Sequence, residues 1–318
     1  MHSGKKLKEN FEMYKEKIIL GYPFVVLVLI IAIFQIWSGG KLVTFRNLKG
    51  VINEAFRLIL GSAALAYIMS QGAIDLSTGS AIGIAAAIGA FCTNAFGPAG
   101  IFITLLVGAA IGLVNGVIYA KLKVGSFITT LSMSYMLGGL LDILLTAGNA
   151  SIPFEMLEWD STGLRFAVLI IICIAGYVYF EHGKLGRWCR AVGSNELAAM
   201  QAGVDVDMVK IVGFFLGGLA AGLLAFFALI RTGTASPSTG QGFQMDCMIA
   251  VFLGGMPITG GTAAKFRAAI LGGITMTLLK NGMSIVGLDI YVQQFVQGVI
   301  FLSAVALTFN RKTMAVIK

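Results

Sequence analysis

Apolar runs that reach, or nearly reach, the length of a membrane span recur along the whole chain, and nothing else in the sequence constrains the fold as much. They fall at 18–37, 57–74, 77–96, 101–120, 126–146, 166–180, 211–230, 245–259, 266–283 and 291–309. A helix crossing the hydrocarbon core needs about 20 predominantly apolar residues. In lipid every backbone N–H and C=O must find an internal partner, so such runs fold as helices. The predicted fold class is therefore all-α: a polytopic membrane helix bundle of about ten transmembrane helices. Only 12% of residues are charged and 57% are hydrophobic. A soluble domain carries about 25% charged residues, so the composition argues against a soluble fold and for an integral membrane protein.

The net charge of +8 would suggest nucleic acid in a soluble protein. Here the basic residues lie between apolar runs, which is a signature of membrane topology and leaves no nucleic-acid partner. With the N-terminus inside, sixteen of the 23 Lys and Arg residues fall on inner segments. The predicted outer loop Ser38–Phe56 runs against this pattern with Lys41, Arg46 and Lys49. The first run, 18–37, reads as an uncleaved span, because Ile36, Trp37 and Ser38 lack the small residues of a signal-peptidase site.

The longest polar interruption is Gly183–Lys210. Asn195 can cap a short helix by accepting from a free first-turn N–H. Glu196 then meets the positive end of the helix dipole. Ala198 and Ala199 favour helix, and Gly203 is a ready stop. A helix of about two turns results, small and apolar in its middle and shaped to be gripped by another protein. A solvated loop with one helical turn is the plainer alternative.

Glycine supplies a second theme, with 41 residues. Gly108, Gly112 and Gly116 lie four apart on one helix face, as do Gly79 with Gly83, Gly213 with Gly217, and Gly218 with Gly222. Small residues let helix backbones approach in lipid and gain dispersion contacts. Close packing is the first reading of these faces, and sliding during transport the second.

Two stretches break the helical pattern. Gly72–Ser80 (GAIDLSTGS) holds an acid, hydroxyls and glycines; Gly254–Gly261 (GGMPITGG) holds Pro257, Thr259 and four glycines. Broken backbone at membrane depth is tolerated where it is buried in protein or lines a wet cavity. Asp75, Ser77, Thr78, Asn115, Pro257, Thr259 and Asn281 are accordingly candidates for a pathway or its gate. For Asp75 a capping turn near the membrane surface is the favoured alternative, with Ser77 and Ser80 satisfying loosened backbone groups. The pairs Asn115-Gly116 and Asn281-Gly282 close spans of opposite direction, a faint echo of an inverted repeat. Ionisable residues within spans are Asp142, Asp246 and Lys280; a structural ion pair of Asp142 with Lys280, or plain surface exposure, is the expected reading, ahead of a proton relay. The four cysteines are scattered and no metal-ligand spacing occurs. The sequence has no GxxxxGK[ST], HExxH or GxSxG, so neither ATP cradling nor covalent catalysis is expected of this chain, and no cofactor.

Six stretches occur in a telling order: GAIDLSTGS, Asn115-Gly116, SFITTLSMSYMLGGL from Ser126, LGRWCRAVGSNELAAMQAGVDVDMVK, GFQMDCMIAVFLGGMPITGG from Gly242 and NGMSIVGLDIYVQQFVQGVI from Asn281. In that order the chain resembles the ribose-type ABC sugar importer permeases, within the wider group that includes branched-chain amino acid permeases. The likeness covers nearly the whole chain. It departs at Ala73, Gly125, Gln244-Met245 and Met256–Thr259. The resemblance implies the fold of the cobalamin-type importers, with an inverted repeat, in a bacterial inner membrane with both termini cytoplasmic. It implies three partners besides the lipid bilayer: a cytoplasmic ABC ATPase, an extracytoplasmic solute-binding protein and a second permease subunit, as a homodimer or pseudo-symmetric pair. The family's coupling helix matches Gly193 to Gly203, with Gly193, Asn195, Ala198, Ala199 and Gly203 on the motif, and Glu196 within it is counted with them as a coupling residue. The division implied is a cytoplasmic segment at 1–17, a transmembrane permease domain at 18–310 with the coupling segment at 183–210, and a cytoplasmic tail at 311–318. The expected function is translocation of a sugar or sugar-like solute, with nucleosides in the family's range, and ATP hydrolysis belongs to the partner. An ion-coupled secondary carrier is the alternative, disfavoured by the lack of an acid near the centre of a span; a passive channel and a membrane-embedded enzyme are weaker still.

Overall fold

A computed structural model describes residues 21–308 except 147 and 149, with side chains through 303. The expected end segments 1–17 and 311–318 lie outside the described residues. The chain is helical, in the order α1 (Gly21–Trp37), α2 (Phe45–Ser70), α3 (Thr78–Phe96), α4 (Ile103–Lys121), α5 (Ser126–Thr146), α6 (Thr162–Tyr177), α7 (Lys184–Ser194), α8 (Glu196–Gln201), α9 (Val206–Thr232), α10 (Phe243–Leu253), α11 (Arg267–Ile285) and α12 (Ile290–Thr308). Six helical segments among the described residues are long and apolar enough to cross a membrane: α2, α3, Pro98–Lys121, α5, Thr162–His182 and α9. Three shorter apolar helices, Gly21–Trp37, Phe243–Leu253 and Ile290–Ser303, accompany them.

α2 is the hub. It packs on α6, α7, α9, α10 and α11, and its residues from Phe56 to Ser70 are nearly all buried. Exposed apolar side chains concentrate on α1, α5, α6 and α12, the faces left to lipid or to a partner.

The glycine seam forms as the spacing anticipates. A Cβ on Gly108 would lie 2.4 Å from the Gly218 carbonyl oxygen, and one on Gly112 would lie 2.3 Å from that of Phe214. Gly218 and Gly222 of α9 meet Gly108 and Thr104 of α4 in the same way. Backbone touches backbone, which only glycine permits. Ion pairs tie the base of the seam: Lys121 to Asp207 at 2.8 Å, and Lys210 to Glu196 at 2.7 Å.

Several expectations are corrected. The Ser38–Phe56 loop shrinks, because α2 already begins at Phe45; its apolar residues every three to four positions bury one face. The span 245–259 is an 11-residue helix, α10, that stops at Leu253 where Gly254 and Gly255 begin the break. Gly183–Lys210 is almost wholly helical rather than a loop, since α7 precedes α8. In its first helix, Arg and Lys mask a buried stripe of Gly186, Cys189 and Val192 that hydropathy alone does not reveal. Burial pushes the Cys189 thiol up to about 11. Lys280 pairs with Asp246, not with Asp142, which is exposed.

Candidate functional site

The first helix break is buried rather than superficial. Residues 71–77 leave the helix after Ser70, and α3 starts at Thr78. Asp75 and Ser77 are only 4% and 1% exposed, so the break is enclosed by protein. Asp75 Oδ1 accepts from the Ser77 N–H at 2.8 Å and from its hydroxyl at 2.7 Å, and Oδ2 accepts from the Thr78 hydroxyl at 2.9 Å. Asn115 of α4 donates to Ser77 Oγ at 2.8 Å. Four residues singled out from the sequence thus form one hydrogen-bonded set between α3 and α4. The Asn115 side-chain oxygen is buried and has no partner among the described residues.

The freed backbone of this break is held by α5, not by Ser77 and Ser80. Ser126 Oγ accepts from the Ile74 N–H and Thr130 Oγ1 from the Leu76 N–H, each at 3.1 Å. Ser80 instead shares a hydrogen bond with Ser134 at 2.9 Å. Buried backbone groups need partners, and hydroxyls on a neighbouring helix supply them.

The second break docks on the first. Gly261 N–H donates to the Ser70 carbonyl at 2.9 Å, and the backbone of Thr259 lies against Gly72, within 3.1 Å of where a Cβ would sit. Gly260 and Gly261 have φ of +67° and +85°, open to glycine without strain. Thr259 therefore sits beside Gly72, at the start of the first break.

The end of α7 presses on both breaks. A Cβ on Gly193 would lie 2.1 Å from the Ser70 carbonyl oxygen and 2.7 Å from Gly261 N. Ser194 Oγ accepts from the Thr262 N–H at 3.1 Å. At the other end of α7, Glu181 accepts from Arg190 Nη1 at 2.8 Å and from the Phe266 N–H at 2.9 Å. Glu181 lies in a π-helical turn, Val178–His182, a geometry frequent at functional sites. One short helix thereby grips the ends of α2 and α6 and the loop that leads into α11.

α8 follows as the sequence predicts. Asn195 Oδ1 accepts from the Ala198 N–H at 3.0 Å, and Gly203 ends the helix with φ of +84°. Ala199 is buried against the bundle, while Ala198 faces out. Glu196 is committed to the buried Lys210, whose ammonium also lies 4.7 Å from the centre of the Tyr119 ring. Leu197 and Met200, 67% and 57% exposed, were not singled out from the sequence. Two large apolar side chains on a short helix within the longest polar interruption are the signal that could have found them.

Asn281 stands apart from the other candidates. It exchanges amide hydrogen bonds with Asn47, at 2.7 and 3.1 Å, and lines a polar cavity of about 350 Å³ between α2, α10 and α11. Glu54, Arg57, Asp246 and Lys280 line the same cavity, and a neighbouring cleft of about 390 Å³ shares Arg57 and Phe243 with it. Sequence reading noted Asp246 and Lys280 as ionisable but could not bring Glu54 and Arg57 to them.

The sequence profile of a family described as branched-chain amino acid transport system, permease component, matches residues 47–305. The ribose import permease protein of Escherichia coli K12 is 30% identical over 91% of this chain and 92% of its own length. The D-allose transport system permease protein of the same organism is 27% identical, covering 96% and 95%. The galactose/methyl galactoside import permease protein of Salmonella typhimurium is 27% identical, covering 90% and 93%. No solved structure matches the chain.

Proposed function

The chain belongs to the family of branched-chain amino acid transport system permease components, and from that premise we propose that it is the membrane-embedded permease of an ATP-driven, binding-protein-dependent importer for a sugar. The relatives similar over nine-tenths of their length carry ribose, allose or galactosides by name. The permease is not itself an enzyme. A cytoplasmic ATPase hydrolyses ATP, and an extracytoplasmic binding protein delivers the solute. Two copies of the permease form the transport unit in the bacterial inner membrane, each of about ten spans in a cobalamin-importer-like arrangement with an inverted repeat. Both termini are cytoplasmic, the permease domain runs over 18–310, and the segments 1–17 and 311–318 flank it.

The observation that carries this reading is the seat of α7 and α8. The short capped helix presents Leu197 and Met200 outward, and the helix before it rests on both broken segments at once. An ATPase groove that grips α8 through Leu197 and Met200, with Asn195 and Gly203 setting its length, moves α7. Movement of α7 shifts Ser70, Gly261 and Thr262, and so the packing around Asp75, Ser77, Thr78, Asn115, Pro257 and Thr259. The permease supplies states of differing access, and the ATPase biases the equilibrium between them.

The test is purification of the tagged chain in mild detergent with mass spectrometry of its companions, beside a Leu197→Asp/Met200→Asp variant. A Walker-motif ATPase is expected with the parent chain and lost from the variant, which remains folded and inserted. Sugar uptake driven by an ion gradient, with no ATPase present, would overturn the reading in favour of a secondary carrier.

A further inference from the structure

The polar cavity between α2, α10 and α11 lies at the opposite end of the molecule from the coupling segment. Arg57 and Ser70 are thirteen residues apart on the same helix, which is roughly 20 Å along its axis. Ser70 touches the end of α7, so the cavity faces away from the ATPase side.

Its charges cancel. Glu54 pairs with Arg57 at 3.4 Å and, in the neighbouring cleft, with Arg231 at 2.9 Å; Lys280 pairs with Asp246. Two carboxylates and two cations line the cavity itself, so neither an anion nor a cation finds an uncompensated partner there. Hydrogen-bonding capacity is left over. Among the described contacts Asp246 Oδ1 and the Gln241 amide have no partner, and Lys280 uses one of its three donors. Val51, Leu58 and Phe243 give an apolar backing. Ionic groups already neutralised by each other, with unspent donors and acceptors over an apolar wall, match a neutral polyhydroxylated molecule. The volume of about 350 Å³ sits at the small end of the roughly 300–1,000 Å³ range of ligand pockets, which suits a monosaccharide.

The wall of the cavity packs against the helix that carries part of the interior set. That wall includes the turn at 238–241, and Gly79 of α3 lies so close that a Cβ there would come within 2.5 Å of the Gly240 carbonyl oxygen. Gly79 follows Thr78, which donates to Asp75.

We infer that this cavity within one subunit is a binding site for the neutral sugar, occupied between release from the binding protein and passage of the Asp75 set. The inference rests on the sugar-importer reading and adds the site, its residues and its preference for uncharged solutes. Asp246, Lys280, Gln241 and Arg57 contact the solute hydroxyls.

The full-length permease in nanodiscs is probed by saturation-transfer NMR with D-ribose, D-allose, D-galactose and ribose 5-phosphate. The same sugars are offered to vesicles holding the intact transporter. At least one neutral sugar is expected to bind the permease without its partners, and the phosphate is not. Ser238→Trp, on an exposed turn, fills the cavity without touching its charges. Asp246→Asn/Lys280→Gln removes one ion pair as a unit. Each is expected to weaken sugar binding at least tenfold and raise the uptake KM, with co-purification of the binding protein unchanged. Wild-type KM in both variants overturns the site, as does a loss of uptake that tracks a loss of binding-protein association. Import of no sugar by the intact transporter instead overturns the functional reading on which the site depends.

Discussion

Replacement of seam glycines by alanine tests whether the α4–α9 contact is as tight as it looks. A Cβ on Gly108 would lie 2.4 Å from the Gly218 carbonyl oxygen and 2.5 Å from Gly222 N. Carbon contacts settle at about 3.5–4.0 Å, so the helices must part by roughly 1 Å. A gap of that size forfeits about a quarter to a half of each dispersion contact across the seam. The obstructing atoms are backbone, so no rotamer change relieves the clash, and overpacking of this kind costs about 1–3 kcal/mol. Against it stands alanine's helix preference, about 1 kcal/mol over glycine. The net expectation for Gly108→Ala or Gly112→Ala is a loss of up to about 2 kcal/mol. Gly138 on α5 is the internal standard, since a Cβ there meets nothing within 4 Å. Gly138→Ala should leave stability unchanged or raised. Thermal unfolding of the purified variants in one detergent, followed by intrinsic fluorescence, ranks them. Gly108→Ala with Gly218→Ala should cost less than the sum of the two singles, because the same separation relieves both clashes. Seam variants as stable as Gly138→Ala would refute the backbone-on-backbone contact.

Glu181→Gln leaves Arg190, whose side chain is 13% exposed, without its carboxylate; loss of about 3–5 kcal/mol is expected, and an unchanged unfolding temperature would count against the latch. Asn195→Ala removes the α8 cap and should cost about 1 kcal/mol, read most sensitively as faster amide exchange at Ala198, while Asn195→Asp restores protection. Burial pushes the Cys189 thiol up to about 11, so below that pH it stays a thiol and is a poor nucleophile; maleimide at pH 7.5 should label it only after denaturation, and rapid labelling in the native state would contradict its burial. Asp75→Ala orphans the Ser77 N–H and two hydroxyls, and a loss of about 1–3 kcal/mol per orphaned buried group is expected; stability equal to the parent's would mean that water already serves those groups.

The candidate site was partly legible, and the residues show where legibility ended. Asp75, Ser77 and Thr78 stood out as polar residues of a helix break and Asn115 as half of an Asn-Gly pair, and the structure joins them. Asn195 and Gly203 were legible because caps and left-handed stops are local chemistry, complete within a few residues. α7 was missed because its buried stripe is three small residues among basic ones, weak as a hydropathy signal. The early start of α2 was missed for a similar reason: polar residues on its exposed face hid a helix that tertiary packing completes.

Composition and periodicity alone determined that this chain is a helical bundle for lipid, since hydrocarbon leaves the backbone almost no other choice. They also determined that glycine faces would pack, and where the helices would break. Only the tertiary structure decided which partners meet. Lys280 is drawn to Asp246 rather than Asp142, Glu196 to Lys210, and the two breaks to each other under α7. These contacts join residues as much as 191 positions apart, as between Ser70 and Gly261. Pairing at that separation depends on how whole helices cross, and a linear pattern of residues carries no record of the crossing.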